Sequence, residues 1–116
     1  MRTLLALVSG IILLCGCSTT ETSLYSWYDY EGVTYRYSKK ATPELRDKLL
    51  QEYRRIIDRQ HGVRRTVPPG MYAEYGFLLY RMGYPEEGIP YLKEEIRLYP
   101  ESETYLSRII KQLEKK

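Results

Sequence analysis

The chain's prolines, six in all, constrain its fold more than any other feature. A proline inside a helix removes one backbone hydrogen bond and clashes with the preceding turn. Pro43, the Pro68-Pro69-Gly70 run, Pro85 and Pro100 therefore mark helix starts and stops, and the stretches between them are amphipathic. Thr42-Pro43-Glu44 supplies an N-cap, a proline at the first helical position and an acid in the first turn. Leu45, Leu49, Tyr53, Ile56 and Gln60 follow on one stripe, with Leu50 and Ile57 beside it, which predicts a helix over 42–60. Gly62, after His61, is placed to take the left-handed C-terminal position. The double proline keeps the next stretch a loop until residue 69 or 70. From there Tyr72, Tyr75, Gly76, Leu79 and Met82 share a helical face that ends at Gly83. Ile89, Leu92, Ile96 and Tyr99 point inward on the next helix, in which Pro90 calls for a start near Glu87 or a bend. A last helix over 101–115 carries Tyr105, Leu106, Ile109, Ile110 and Leu113 as its apolar residues. Lys111, Lys115 and Lys116 suit the negative end of its dipole. The expected fold class is all-α.

Residues 69–102 resemble one tetratricopeptide repeat of about 34 residues. Tyr72, Tyr75, Gly76 and Leu79 match its first helix; Gly83, Glu87, Gly88, Ile89, Leu92, Ile96 and Pro100 fall at the following offsets. Gly76 and Gly88 are small where two helices must approach closely, and the charged helix after Pro100 reads as a cap. The expected architecture is a short tetratricopeptide-like bundle of helical hairpins over 27–116.

The first residues differ in kind. Residues 4–14 are apolar, and as a helix they reach about 16 Å, roughly half of a ~30 Å hydrocarbon core. Arg2 precedes them, and Leu14-Cys15-Gly16-Cys17 follows. That order reads as a cleaved export signal. Leu14, Gly16 and Cys17 resemble the bacterial lipobox. The resemblance implies cleavage after Gly16, thioether lipidation of Cys17 and acylation of the new amine. Three acyl chains would hold the chain to a membrane where one holds only marginally. Ser18, not Asp, stands after Cys17, which by resemblance to sorting signals implies the outer membrane with the domain facing the periplasm. Residues 1–16 are thus read as a signal peptide and 17–26 as a lipidated tether. A redox pair is disfavoured because the two cysteines lie inside a hydrophobic leader.

Charge excludes little. The net charge is +3 and becomes +2 once Arg2 is removed, too weak to argue for nucleic acid. It is uneven: residues 39–65 hold nine Lys/Arg against four Asp/Glu, and residues 85–116 six against seven. Such a basic stretch reads first as a solvated helix surface and second as a contact with an anionic leaflet. Tyrosine dominates the aromatic residues, 13 against one Phe and one Trp. A tyrosine has an apolar ring and a polar tip, so this composition fits a shallow core and half-buried positions.

Residues 28–37 support two readings. Tyr28, Tyr30, Val33, Tyr35 and Tyr37 alternate about Glu31-Gly32 like a hairpin, whereas Trp27, Tyr30, Thr34 and Tyr37 fit a helix face. Composition favours the strand pair.

The mature chain as a whole resembles the small bacterial lipoproteins of domain-of-unknown-function family 4810. The residues carrying the resemblance are the Cys17 lipobox, Leu24-Tyr25-Ser26-Trp27, Tyr30-Glu31, Tyr35 and Tyr37, Val67-Pro68-Pro69-Gly70-Met71-Tyr72-Ala73, and Tyr99-Pro100-Glu101-Ser102. Tyr28 and Thr34 stand where the family often has Gly and Leu. The resemblance implies a short helix near 28–37, against the composition. It also implies an outer-membrane lipoprotein encoded beside a lipoprotein similar to the curli-secretion channel, and hence a shared envelope complex.

The expected function is a non-catalytic protein–protein interaction subunit of such a complex. Trp27, Tyr30, Tyr35 and Tyr37 are the candidate partner contacts, since Trp and Tyr anchor interfaces. The alternative is a peptidoglycan or glycan binder that stacks the same rings on sugars. Catalysis is not expected. The only histidine, His61, lies at a helix end beside Arg64 and Arg65, and Glu86-Glu87 and Glu94-Glu95 read as exposed acidic pairs. No Cys/His cluster has metal-ligand spacing and no Gly-rich phosphate loop occurs, so neither cofactor nor small-molecule substrate is expected.

Overall fold

The computed structural model describes residues 23–115, so the expected signal peptide, Cys17 and most of the expected tether lie outside the described residues. Those described form five α-helices and no strand. They are α1 (Tyr30–Lys39), α2 (Pro43–Asp58), α3 (Met71–Arg81), α4 (Pro85–Leu98) and α5 (Glu103–Glu114), with a 3-10 turn, Pro100–Ser102, before α5. Each packs on its neighbour in sequence.

Residues 30–39 are helical, as the family resemblance implies and composition does not. The Asp29 carbonyl starts the ladder by accepting from Val33 N, and Val33 is buried. Thr42 caps α2 with its side-chain oxygen, which accepts from Leu45 N at 3.2 Å. Leu49, Tyr53 and Ile56 are the buried stripe of α2.

Gly62 does not take the left-handed position; only Gly70 and Gly83 among the described glycines have positive φ, 91° and 92°. The helix has already ended at Asp58, and Gly62 is needed for space. A Cβ there would lie 2.4 Å from the Leu24 carbonyl oxygen and 2.6 Å from Tyr25 Cα.

The end of the expected tether is in fact part of the domain. Val63 N and Arg64 N donate to the carbonyls of Ser23 and Leu24, at 2.9 and 3.2 Å. Gln60 exchanges hydrogen bonds with the Ser26 backbone at 2.8 and 2.9 Å. The Tyr28 hydroxyl donates to the Arg59 carbonyl, one of those a helix end leaves unpaired.

α3 is the central element. Met71, Tyr75, Gly76, Leu78 and Leu79 are buried on it, more than one stripe can hold, because α2 and α4 cover different sides. α3 and α4 form a hairpin about Gly83, and there the backbones meet. A Cβ on Gly76 would stand 2.6 Å from the Gly88 carbonyl oxygen, and one on Gly88 would stand 2.4 Å from that of Gly76.

α4 starts at Pro85, two residues earlier than Pro90 suggested, and runs through it. Pro90 and Glu86 are both exposed, so water can meet the Glu86 carbonyl that Pro90 has no N–H to serve. Its inward residues are Gly88, Leu92 and Glu95; Ile89 and Ile96 are only half-buried. Glu95 is thus not on an exposed acidic face: it is 3% exposed and caps α3, accepting from Gly70 N. Burial pushes its pKa up, and the amides of Gly70, Ala73 and Tyr72 partly offset that. Glu94 beside it is paired with Arg97, which holds its carboxyl below the usual range.

α5 buries Leu106 and Ile110, while Tyr105, expected on its apolar face, is 70% exposed. Lys93 on α4 reaches Glu114 on α5 at 3.1 Å.

Candidate interaction groove

Three helices wall a groove. α1 contributes Thr34 and Tyr37, α2 Leu49 and Tyr53, and α3 Glu74, Phe77, Leu78 and Arg81. The spacings are one helical face each: 34 and 37, 49 and 53, then 74, 77, 78 and 81. The space measures about 290 Å³. Its walls are mostly apolar, with one carboxylate and one guanidinium. Arg81 is exposed and makes no ion pair among the described residues.

Glu74 is fixed by two phenols. Its Oε2 accepts from Tyr30 at 2.8 Å and Tyr53 at 2.8 Å, and its Oε1 lies 3.0 Å from the Tyr30 hydroxyl. Its position in the first turn of α3 also favours negative charge, where the helix dipole is positive. Burial, followed by the Glu74 hydrogen bond and charge, raises the Tyr30 pKa to about 12 and that of Tyr53 well above the ordinary tyrosine range. Both phenols are donors at neutral pH, and together they fix the orientation of the Glu74 side chain.

Tyrosines brace the walls. Rings are in contact from Tyr25 to Trp27, Tyr30, Tyr53, Tyr75, Tyr91 and Tyr72, with centroids 4.6–6.2 Å apart. These separations fit offset and edge-on aromatic pairs. The run passes from the N-terminal segment through α1, α2 and α3 to α4, so the tyrosine-rich composition is a cross-brace through a shallow core. Arg54 Nε donates to the Tyr75 hydroxyl at 2.7 Å at its middle.

The four candidate contacts from the sequence do not form one patch. Tyr37 is half-buried and lines the groove; Tyr30 is half-buried, with its hydroxyl committed to Glu74. Trp27 is 39% exposed and stands beside Tyr30, ring centroids 5.5 Å apart. Tyr35 is 61% exposed away from the groove, with Lys39 Nζ 5.3 Å from its ring centroid. Glu74, Phe77 and Arg81 were missed. The available signal was the single phenylalanine of the chain, one helical turn from a carboxylate and from an arginine.

No group of three or more His, Cys, Asp or Glu side chains could hold a metal ion among the described residues. No described helix is long and apolar enough to cross a membrane.

Fold and groove together define a small all-helical protein built on a tight helical hairpin, with a tyrosine-braced groove beside it. A family model described as Domain of unknown function (DUF4810) matches residues 24–109, and the chain belongs to that family. The match begins where the N-terminal segment joins the domain, at Leu24. No curated protein and no solved structure matches significantly.

Proposed function

We propose that this chain is a non-catalytic outer-membrane lipoprotein, anchored through Cys17, whose groove docks a segment of another envelope protein. The observation that carries the reading is the groove itself. An apolar slot with an oriented carboxylate and an unpaired arginine suits an extended or helical peptide better than a reacting small molecule. Phe77 and Tyr37 supply apolar anchors, and Arg81 supplies a partner for a carboxylate. The hairpin of α3 and α4, with its Gly76–Gly88 contact, supports a tetratricopeptide-like reading of residues 69–102. One such repeat exposes surface that a partner can cover, since about three are needed for a self-sufficient stack. The family resemblance supplies the partner class, a curli-secretion-channel-like lipoprotein or its neighbours in an envelope complex.

Two substitutions separate anchor from groove. Cys17→Ser should leave the chain unacylated and absent from the outer-membrane fraction. Phe77→Asp with Arg81→Glu should leave it membrane-bound but without its envelope partner on purification. Retention of Cys17→Ser in that fraction contradicts the anchor, and undiminished co-purification of the groove variant contradicts the docking role.

A further inference from the structure

The edge where the N-terminal segment meets the end of α2 combines features that the groove does not use. Leu24 and Val63 are 52% and 61% exposed, and are brought together because residues 63 and 64 bond the backbone of 23 and 24. Arg59, His61, Arg64 and Arg65 are exposed on the same turn, and residues 59–66 contain no acid. The flanking acid is Asp58, and Glu21 precedes in sequence. Arg64 is held over the Tyr25 ring, its guanidinium carbon 6.0 Å from the centroid and Nη1 3.5 Å from the hydroxyl. The turn is built at a cost: Arg65 has φ 49°, in the left-handed region that side chains rarely adopt. Ser23 lies six residues after Cys17, a span of at most about 22 Å of extended chain.

We infer that this edge, Leu24 and Val63 with Arg64 and Arg65 around them, is a contact for anionic lipid headgroups that seats the domain on the bilayer. Two exposed apolar side chains on a turn that also carries exposed arginines suit the headgroup–acyl boundary, where the chains enter and the guanidinium groups meet phosphate. This contact rests on the proposed anchor at Cys17, which keeps the edge within reach of the bilayer. It gives the domain a fixed face toward the lipid.

Trp27, the only tryptophan, is a built-in reporter, since its ring lies 6.1 Å from that of Tyr25. The full chain, purified from envelopes, is reconstituted in phosphatidylethanolamine–phosphatidylglycerol vesicles and in phosphatidylcholine vesicles. Both contain lipids brominated near the headgroup. Trp27 fluorescence should be quenched on the anionic vesicles, weakly quenched on the neutral ones, and recover at high salt. Each arginine near an anionic surface shifts the seated-to-free ratio about fivefold. Arg64→Glu with Arg65→Glu should therefore lower that ratio at least about 30-fold, and Leu24→Ser with Val63→Ser should also reduce quenching. Circular dichroism should show both variants folded. Equal quenching on the two lipids, or quenching unchanged in the arginine variant, overturns the contact. Intact mass on the same samples separates the two ideas. Acylated protein without quenching overturns the contact and leaves the anchor. Unacylated protein still quenched through Arg64 and Arg65 overturns the anchor and leaves the contact.

Discussion

Replacing Gly88 with alanine sets two effects of opposite sign against each other. In an isolated helix, Gly→Ala stabilises by about 1 kcal/mol. Here the new Cβ would lie 2.4 Å from the Gly76 carbonyl oxygen, 3.0 Å from Tyr80 N and 3.3 Å from Leu79 Cβ. Non-bonded atoms want about 3.5 Å, so α3 and α4 must part locally by roughly 1 Å. Two of the three neighbours are backbone atoms, which cannot rotate away. Overpacking of this kind costs about 1–3 kcal/mol, occasionally more, and parting the helices also loosens the packing of Leu92 against Gly76. The expected net loss is about 1 kcal/mol and at most about 2, since a clash with backbone atoms outweighs propensity. For a domain of this size each kcal/mol lowers Tm by about 4–8 °C. Urea unfolding should show a lower midpoint with unchanged slope. Gly76→Ala should behave alike, its Cβ being 2.6 Å from the Gly88 oxygen. The double variant should lose less than the sum, because the second Cβ enters space the first has opened. Stabilisation by both single variants would refute the close approach of α3 and α4.

Other perturbations read other parts of the structure. Glu74→Ala removes the acceptor of two phenols and should cost about 2 kcal/mol, with Tyr30 titrating below its present value of about 12 when followed by phenolate absorbance. In the wild type, Tyr30 and Tyr53 keep their protons longer when folded, so their contribution to stability against urea should be constant up to about pH 10 and fall as pH rises from there toward and beyond 12. The raised pKa of Glu95 has the same sign at lower pH: its contribution is complete below the ordinary carboxyl value of 4.5 and lost as pH rises through the folded value. Glu95→Gln, which keeps a side-chain acceptor but not the charge, should abolish that slope. Thr42→Ala deletes the cap on Leu45 N and should cost about 1 kcal/mol in thermal unfolding.

Most of the helix pattern was legible, because proline and capping chemistry act locally. Thr42, Pro43, Gly83, Pro85 and Pro100 mark boundaries in the structure as they do in the sequence. What escaped depended on distant partners. Residues 28–37 alternate like strands, yet residues 30–39 are helical with the face bearing Val33 buried against α2, and packing overrode composition. Gly62 marked a close approach by Leu24, nearly forty residues away in sequence, which no local pattern encodes. Glu95 looked like half of a surface pair, and only the position of the α3 N-terminus explains its burial. The same holds for the groove. Tyr30 and Tyr37 were recognisable as aromatic residues on one face, but their junction with Glu74, Phe77 and Arg81 needs α2 and α3 in place. Tyr35 shares their type and segment and lies outside the groove, because a helix turns it away.

The docking role is tested most directly by a photoreactive amino acid at position 77 in intact cells, with one at exposed position 105 on α5 for comparison. Position 77 should give a discrete adduct that mass spectrometry assigns to an envelope lipoprotein, and position 105 should not. An absent adduct at 77, or the same products from both positions, would contradict a groove built to hold a partner.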